Sequence, residues 1–331
     1  MKAIVQDRYG SPDALEFSEV EKPVAVGNMV LVRVRASSVN AYDWHVMRGD
    51  PYLARLMLPA AFGRKGPKAR IRGRDIAGRV EAVGPEVTRF SPGDEVYGDL
   101  GDANGAFAEY VCAPEDLVEL KPINLTFEQA AAIPLAGSTA LYGLREVAKV
   151  EAGQRVLVNG ASGGVGTFAV QLAKTFGAEV TGVCSTRNVD LVRSLGADHV
   201  IDYSKEDFTR NGVPYDVVLD HVANRSLADF RRALTPTGTL VLSGGGTFTG
   251  GSVVGPMRIL LQAKLQSRFV RHRLVDFSTP LTLEHLTTLK TLAESSQLTP
   301  AIDRSYALAD VPAAISYLET HHAQAKVTIT I

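Results

Sequence analysis

Arg155-Val156-Leu157-Val158-Asn159-Gly160-Ala161-Ser162-Gly163-Gly164-Val165-Gly166-Thr167-Phe168-Ala169-Val170-Gln171-Leu172-Ala173-Lys174 is the stretch that decides the fold. An apolar strand runs into a glycine-rich turn, a helix follows at once, and a second apolar strand, Glu179–Cys184, comes next. That is the order of a nucleotide-binding βαβ unit. Glycine lets the backbone turn tightly, admits a pyrophosphate and brings the helix close to the strand. Amides at the helix N-terminus then face the phosphates, helped by the helix dipole. The match is A-x-G-x-x-G, with Ala161 in place of the usual first glycine. A plain αβ turn would also carry glycine, and the flanking strand and helix favour the nucleotide reading.

The second strand ends at Ser185-Thr186-Arg187, where the adenosine ribose of a bound dinucleotide would lie. An NAD enzyme places Asp or Glu there, and none occurs between Val180 and Val189. Ser185 can donate to a 2′-phosphate and Arg187 can meet it with a charge-assisted fork. NADPH is therefore expected over NADH; the plainer reading of Arg187 is a solvated arginine at a helix start.

At 331 residues the chain exceeds the usual limit of one core and suits two domains. A net charge of -1 gives no general attraction for nucleic acid or an anionic membrane. Two cysteines, Cys112 and Cys184, build neither a disulfide framework nor a cysteine-rich zinc lobe, and they suit a reducing cytoplasmic compartment. The start, Met1-Lys2-Ala3-Ile4-Val5-Gln6-Asp7, does not read as a signal peptide, and no apolar run is long enough to span a membrane.

Residues 1 to about 125 alternate with period two in short runs such as 29–36 and 76–84, punctuated by Gly84-Pro85 and Ser91-Pro92-Gly93-Asp94. This predicts a small all-β domain. From Thr126, which opens a capping box with Gln129, helix and strand alternate. Strands are predicted at 155–159, 179–184, 199–202, 216–220 and 238–243, with helices starting near 164, 188, 205 and 225. An edge strand is predicted over 268–275. The expected fold class is α/β, with a parallel sheet covered on both faces.

Seven further segments, in order, carry a resemblance: Ser38-Val39-Asn40-Ala41-Tyr42-Asp43, Gly73-Arg74-Asp75-Ile76-Ala77-Gly78, Ser91-Pro92-Gly93-Asp94-Glu95-Val96-Tyr97, Gly137-Ser138-Thr139-Ala140, Leu195-Gly196-Ala197-Asp198-His199-Val200-Ile201-Asp202-Tyr203, Asp216-Val217-Val218-Leu219-Asp220, and Lys326-Val327. With the glycine turn, they resemble the zinc-independent quinone oxidoreductase branch of the medium-chain dehydrogenase/reductase superfamily. The resemblance implies a GroES-like β domain over 1–126, completed by 278–331, and a Rossmann doubly wound parallel-sheet domain over 127–277 that binds NADP. It also implies a homodimer.

Zinc alcohol dehydrogenases share that fold, and their catalytic ligand positions match Asn40, Arg74 and Leu135 here, a set that cannot bind zinc. No metal is expected. Conjugated carbonyls, namely quinones, enones and enals, spread developing charge and need a Lewis acid least. The resemblance places Asn40, Tyr42, Asp43, Trp44, Tyr52 and Arg74 around the acceptor. Asn40 is a candidate donor to the carbonyl or else a turn residue; Tyr52 is a candidate proton donor or else a lining phenol. For the cofactor it implies Ser162, Gly163, Gly164, Val165 and Gly166 at the pyrophosphate, Ser185 and Arg187 at the 2′-phosphate, and Tyr203 on the adenosine side. Ser243 and Gly244 to Gly246 would approach the nicotinamide ribose, and Lys326 is assigned to the cofactor as well. His221 reads as a hydrogen-bonded neighbour of the cofactor.

The basic run Arg64, Lys65, Lys68, Arg70, Arg72 and Arg74 reads as a solvated loop, Arg74 excepted. A short-chain dehydrogenase would need Tyr-x-x-x-Lys, which is absent. The remaining alternatives are an NADPH-binding sensor or scaffold with little turnover, and an NADP-linked alcohol dehydrogenase.

Overall fold

The structure, a computed structural model, describes residues 1–58, 61–63, 65–244, 253, 255, 257–320 and 323–331. The chain divides into two compact units. One comprises Met1–Ala136, Gly250–Val253 and Leu281–Ile331; the other comprises Gly137–Thr249 and Val254–Pro280.

The first unit is built on a seven-stranded sheet. Its path runs Ile302–Ala307, Lys326–Thr330, Met29–Val39, Asp75–Val83, Glu95–Asp99 and Val118–Leu120, and Tyr110–Pro114 pairs with the first half of Met29–Val39. Only the first pair in that path is parallel. Period-two patterning is the cause: Val30, Val32 and Val34 turn to one face and meet Ile76, Val80, Val96, Val111 and Val118 in a single core. Phe107 lies just before the strand Tyr110–Pro114. It is fully buried, its carbonyl accepts from Ile4 and its amide donates to the Arg72 carbonyl.

All six strands of the second unit are parallel, in the spatial order His199–Asp202, Glu179–Cys184, Arg155–Asn159, Tyr215–Asp220, Leu234–Leu242, Arg273–Asp276. In chain order that is 3-2-1-4-5-6, so the connections diverge between Arg155–Asn159 and Tyr215–Asp220, where α/β sheets bind ligands at the carboxyl ends of their strands. Buried runs such as Val156-Leu157-Val158 fit a sheet covered on both sides.

Two sequence expectations need correction. No helix begins near 205, because side chains there cap turns: Asp202 accepts from the amide of Ser204 at 3.1 Å and Asp207 from that of Thr209 at 3.0 Å. The edge strand covers only Arg273–Asp276 rather than 268–275, since the helix Met257–Gln266 runs into turns that leave Phe269 at 87% exposure.

Candidate functional site

In the second unit the strand Arg155–Asn159 ends at Gly160, whose φ of +86° belongs to the left-handed region. The helix Gly164–Thr175 then starts from Gly163 as N-cap. A side chain on Gly166 would put its Cβ 2.1 Å from the Gly160 carbonyl oxygen, a collision with backbone that no rotamer relieves. The turn and the first helical turn are therefore in contact. That contact leaves Gly163, Gly164 and Val165 partly exposed at the helix start, with amides suited to an anion. Ser162 is buried and its Oγ accepts from Asn188 Nδ2 at 2.8 Å, so its hydroxyl already has an internal partner.

At the end of the next strand Ser185 is half-buried, while Thr186 and Arg187 are exposed. Parallel register sets Asp202 opposite Cys184, and Thr186 Oγ1 donates to the Asp202 carboxylate at 2.6 Å. Sequence reading missed this carboxylate because it belongs to another strand; the pairing of 179–184 with 199–202 is the signal that would have found it. Hydrogen bonds from Thr186 and Ser204 hold Asp202 far below the usual carboxylate range, and Lys205 lies 3.2 Å away. Tyr203 is 52% exposed, and its amide donates to the Cys184 carbonyl.

Ser243 follows the strand Leu234–Leu242, and its Oγ makes a short hydrogen bond with His221 Nδ1. His221 Nε2 is buried without a partner among the described residues, and burial pushes the ring down to about 4, so it is neutral. Gly244 has φ +119°; Gly245 and Gly246 lie outside the described residues.

The first unit holds a different construction. Strand registers align Thr328, Ser38, Asp75 and Asp99 in one row across four strands. Asp75 is fully buried and fully engaged. Its Oδ2 accepts from Ser38 Oγ at 2.6 Å, Asn40 Nδ2 at 2.8 Å and Lys326 Nζ at 3.4 Å, while Oδ1 accepts from the amide of Leu135 at 2.9 Å. Lys326 Nζ also donates to Asn40 Oδ1 at 2.5 Å. Expected on the cofactor, Lys326 is 2% exposed and directs its ammonium into this cluster. The Asn40 side chain likewise has both ends engaged by Asp75 and Lys326, which is not the free donor that the sequence suggests.

Asp43 and Trp44, expected beside the acceptor, turn inward from the helix Ala41–Arg48. Asp43 Oδ2 accepts from the Asn40 amide at 2.8 Å, and Trp44 stacks on His45 with centroids 3.7 Å apart. Burial raises the Asp43 carboxyl to about 6, against the pull of Arg72. Of the basic run, Lys65, Lys68 and Arg70 are exposed as expected and Arg64 lies outside the described residues. Arg72 is the surprise: it is 1% exposed and none of its guanidinium nitrogens has a hydrogen-bond partner among the described residues. Its backbone pairs inward with Ile4 and Phe107, which the composition of the run does not reveal.

Arg74 forks onto Asp99, Nε to Oδ1 and Nη2 to Oδ2, each at 2.8 Å. Tyr42 lies under the guanidinium, with 4.7 Å from Cζ to ring centroid, and its hydroxyl donates to Asp102 at 3.0 Å. Burial lifts the Tyr42 phenol to about 12, so it is protonated at neutral pH. Tyr52 is 48% exposed beneath Arg55.

The positions matched to a catalytic zinc thus converge on Asp75: Asn40 and Leu135 bond it directly and Arg74 precedes it in the chain. A guanidinium committed to Asp99 and an isobutyl group have no lone pair to offer, so these residues do not fit zinc. The glycine turn does fit a dinucleotide, since the space against Gly160 is closed even to a methyl group.

Residues 27–123 match the family model described as alcohol dehydrogenase GroES-like domain, and residues 195–329 match the one described as zinc-binding dehydrogenase. The second match includes none of positions 40, 74 and 135. A chloroplastic quinone-oxidoreductase QR1 of Triphysaria versicolor is 32% identical over 99% of this chain and 98% of that protein. An NADPH-dependent alkenal/one oxidoreductase of Arabidopsis thaliana, also chloroplastic, is 34% identical over 99% of this chain and 79% of its own length. The solved quinone oxidoreductase of Coxiella burnetii superposes with a TM-score of 0.86 at 31% identity, covering 100% of this chain and 99% of that one.

Proposed function

Because the chain belongs to the quinone-oxidoreductase-like branch of the medium-chain dehydrogenase/reductase superfamily, we propose that it is an NADPH-dependent reductase of conjugated carbonyls, acting on quinones, enones or enals without a metal. The observation that carries the metal-free reading is the Arg74–Asp99 fork, which sets a guanidinium where a zinc ligand would be needed. When bound, NADPH supplies the hydride; the protein aligns it and shapes the acceptor site.

The chain's own residues have these parts. Amides of Gly163, Gly164, Val165 and Gly166 hold the pyrophosphate at the start of the helix. Ser185 and Arg187 take the 2′-phosphate, with Tyr203 on the adenosine side. Asp202, though near, has its charge met by Thr186, Ser204 and Lys205 and so does not bar a phosphate. Ser243 and Gly244 face the nicotinamide ribose. Residues 1–126 with 278–331 form the acceptor domain and 127–277 the NADP domain. Asn40 is a framework residue between Asp75 and Lys326, and Tyr52, being exposed, is a lining phenol whose proton water can replace.

No helix among the described residues is long and apolar enough to cross a membrane. A homodimer is part of the proposal, since among the described residues Arg273–Asp276 has a sheet neighbour on one side only. Stopped-flow mixing of the NADPH-loaded protein with a panel of quinones, 2-alkenals and enoyl thioesters tests the reading. A fast, acceptor-dependent loss of NADPH absorbance is expected; its absence would make the protein a binder.

A further inference from the structure

We propose that the outward face of residues 258–271, within the second unit, is a docking surface for an anionic lipid bilayer, on which the protein lies without crossing it. The inference goes beyond the proposed reaction and holds whichever acceptor is reduced. The chain's net charge of -1 is an average that conceals a local excess. Between Asp229 and Asp276 there is no Asp or Glu, and Arg258, Lys264, Arg268, Arg271 and Arg273 fall within that interval. All five are exposed, and among the described residues none of them forms an ion pair. On the neighbouring helix Leu227–Ala233, Asp229 is already taken by Arg232 at 2.9 Å. Arg231 of that helix donates from Nε to His272 Nδ1 at 3.4 Å, so it brings a further cation to the patch.

Helical geometry gathers apolar side chains among these charges. On the inward side of Met257–Gln266, Ala263 joins Leu240 and Leu274 of the sheet in the core, and Ile259, Leu260 and Val270 pack against it. On the opposite side Leu261, Leu265 and Phe269 recur every four residues and are 50%, 67% and 87% exposed. That spacing keeps side chains on one helical face. The amide of Phe269 donates to the Gln266 carbonyl at 2.9 Å, which continues the turn past the helix end. Single exposed apolar residues are ordinary, but a row of three between unpaired cations is a surface with two chemistries.

One partner has to meet both. A nucleic acid would take the arginines but offers nothing to two leucines. A second copy docked face to face about a two-fold axis would set the same cations against each other, with no carboxylate in the stretch to separate them. A bilayer with anionic headgroups satisfies both demands: arginine and lysine heads reach the phosphates, while their stems and the Leu and Phe side chains enter the acyl boundary. Because the helix packs on a face of the sheet, its outward side is distinct from the strand edge assigned above to a second copy.

The test is co-sedimentation of the full-length protein with vesicles of phosphatidylcholine and phosphatidylglycerol in a three-to-one ratio. Binding is expected to these vesicles and not to pure phosphatidylcholine, and raising the salt from about 0.05 to 0.5 M should weaken it about tenfold or more. Arg268→Gln/Arg271→Gln should lower the partition coefficient about thirtyfold, roughly fivefold for each cation. Phe269→Ser should lower it about tenfold or more. Both variants should melt as wild type does, because the altered side chains are exposed. Equal binding to neutral and anionic vesicles, no binding at low salt, or a Phe269→Ser variant that binds like wild type overturns the proposal. Two rival partners have their own signatures, and either one overturns it too. If Phe269→Ser halves the particle mass in sedimentation equilibrium without lipid, the face is an interface between copies. If a single-stranded oligonucleotide is bound more tightly than the vesicles and Phe269→Ser leaves that unchanged, the partner is nucleic acid. Should a variant fail to fold, the salt and lipid dependence of the wild type decide alone.

Discussion

The glycine turn and the Asp75 cluster are built by opposite means. At the turn, what matters is missing matter: Gly166 packs against the Gly160 carbonyl because it carries no side chain, and the whole device falls within seven consecutive residues, 160–166. At Asp75, a buried carboxylate is answered by Ser38, Asn40, Leu135 and Lys326, groups gathered from distant parts of the chain. One is a local device that tolerates no addition; the other is a long-range device that tolerates no removal. Their failures should differ accordingly.

The sharpest way to break the contrast is Lys326→Met. It strands a fully buried carboxylate, and breaking a buried pair costs roughly 3–5 kcal/mol, so denaturant unfolding should show a loss of that size. A loss under about 1 kcal/mol, the range of exposed pairs, would reduce the cluster to decoration.

Next comes pH. The folded-state carboxyl of Asp43, raised to about 6 from 3.8, holds a proton that the unfolded chain has released between those values. Its ionisation thus weighs on the fold above pH 6 and is relieved as pH falls toward 4. Relative to Asp43→Asn, wild type should gain about 2 kcal/mol on going from pH 7 to 4, read by paired denaturant melts. A pH-independent difference would mean that Asp43 is solvated.

Gly166→Ala sharpens the other side. Overpacking against backbone should cost about 1–3 kcal/mol and weaken NADPH binding, measured by quenching of cofactor fluorescence, without the pH signature. Arg187→Ala is milder: KM for NADPH should rise about tenfold while KM for NADH stays put, and equal effects would defeat the 2′-phosphate assignment. Tyr52→Phe should be smallest, under about threefold in kcat, because an exposed phenol is replaceable by water.

The same contrast explains what was legible in the sequence. The turn, the capping box at Thr126 and the strand succession from 155 could be read directly, because each depends on neighbours within a few positions. The parallel sheet, though not the order of its strands, followed from the alternation of strand and helix. Lys326 could be recognised yet was sent to the wrong neighbour, since its partners are set by the register of Lys326–Thr330 against Met29–Val39. Arg72 looked like one more solvated charge because burial of a loop arginine is decided by the strand it crosses. Asp202 escaped for the same reason: a window from 180 to 189 cannot see across a parallel pair.

Lys326 follows Asp75 by 251 positions in the chain. During synthesis the carboxylate therefore emerges long before its cation, and the whole glycine-turn unit is translated in the interval. The dinucleotide half can reach its final form on the ribosome while the other half still waits for its counter-charge. The N-terminal segment, though made first, cannot complete its buried cluster until Lys326 has followed.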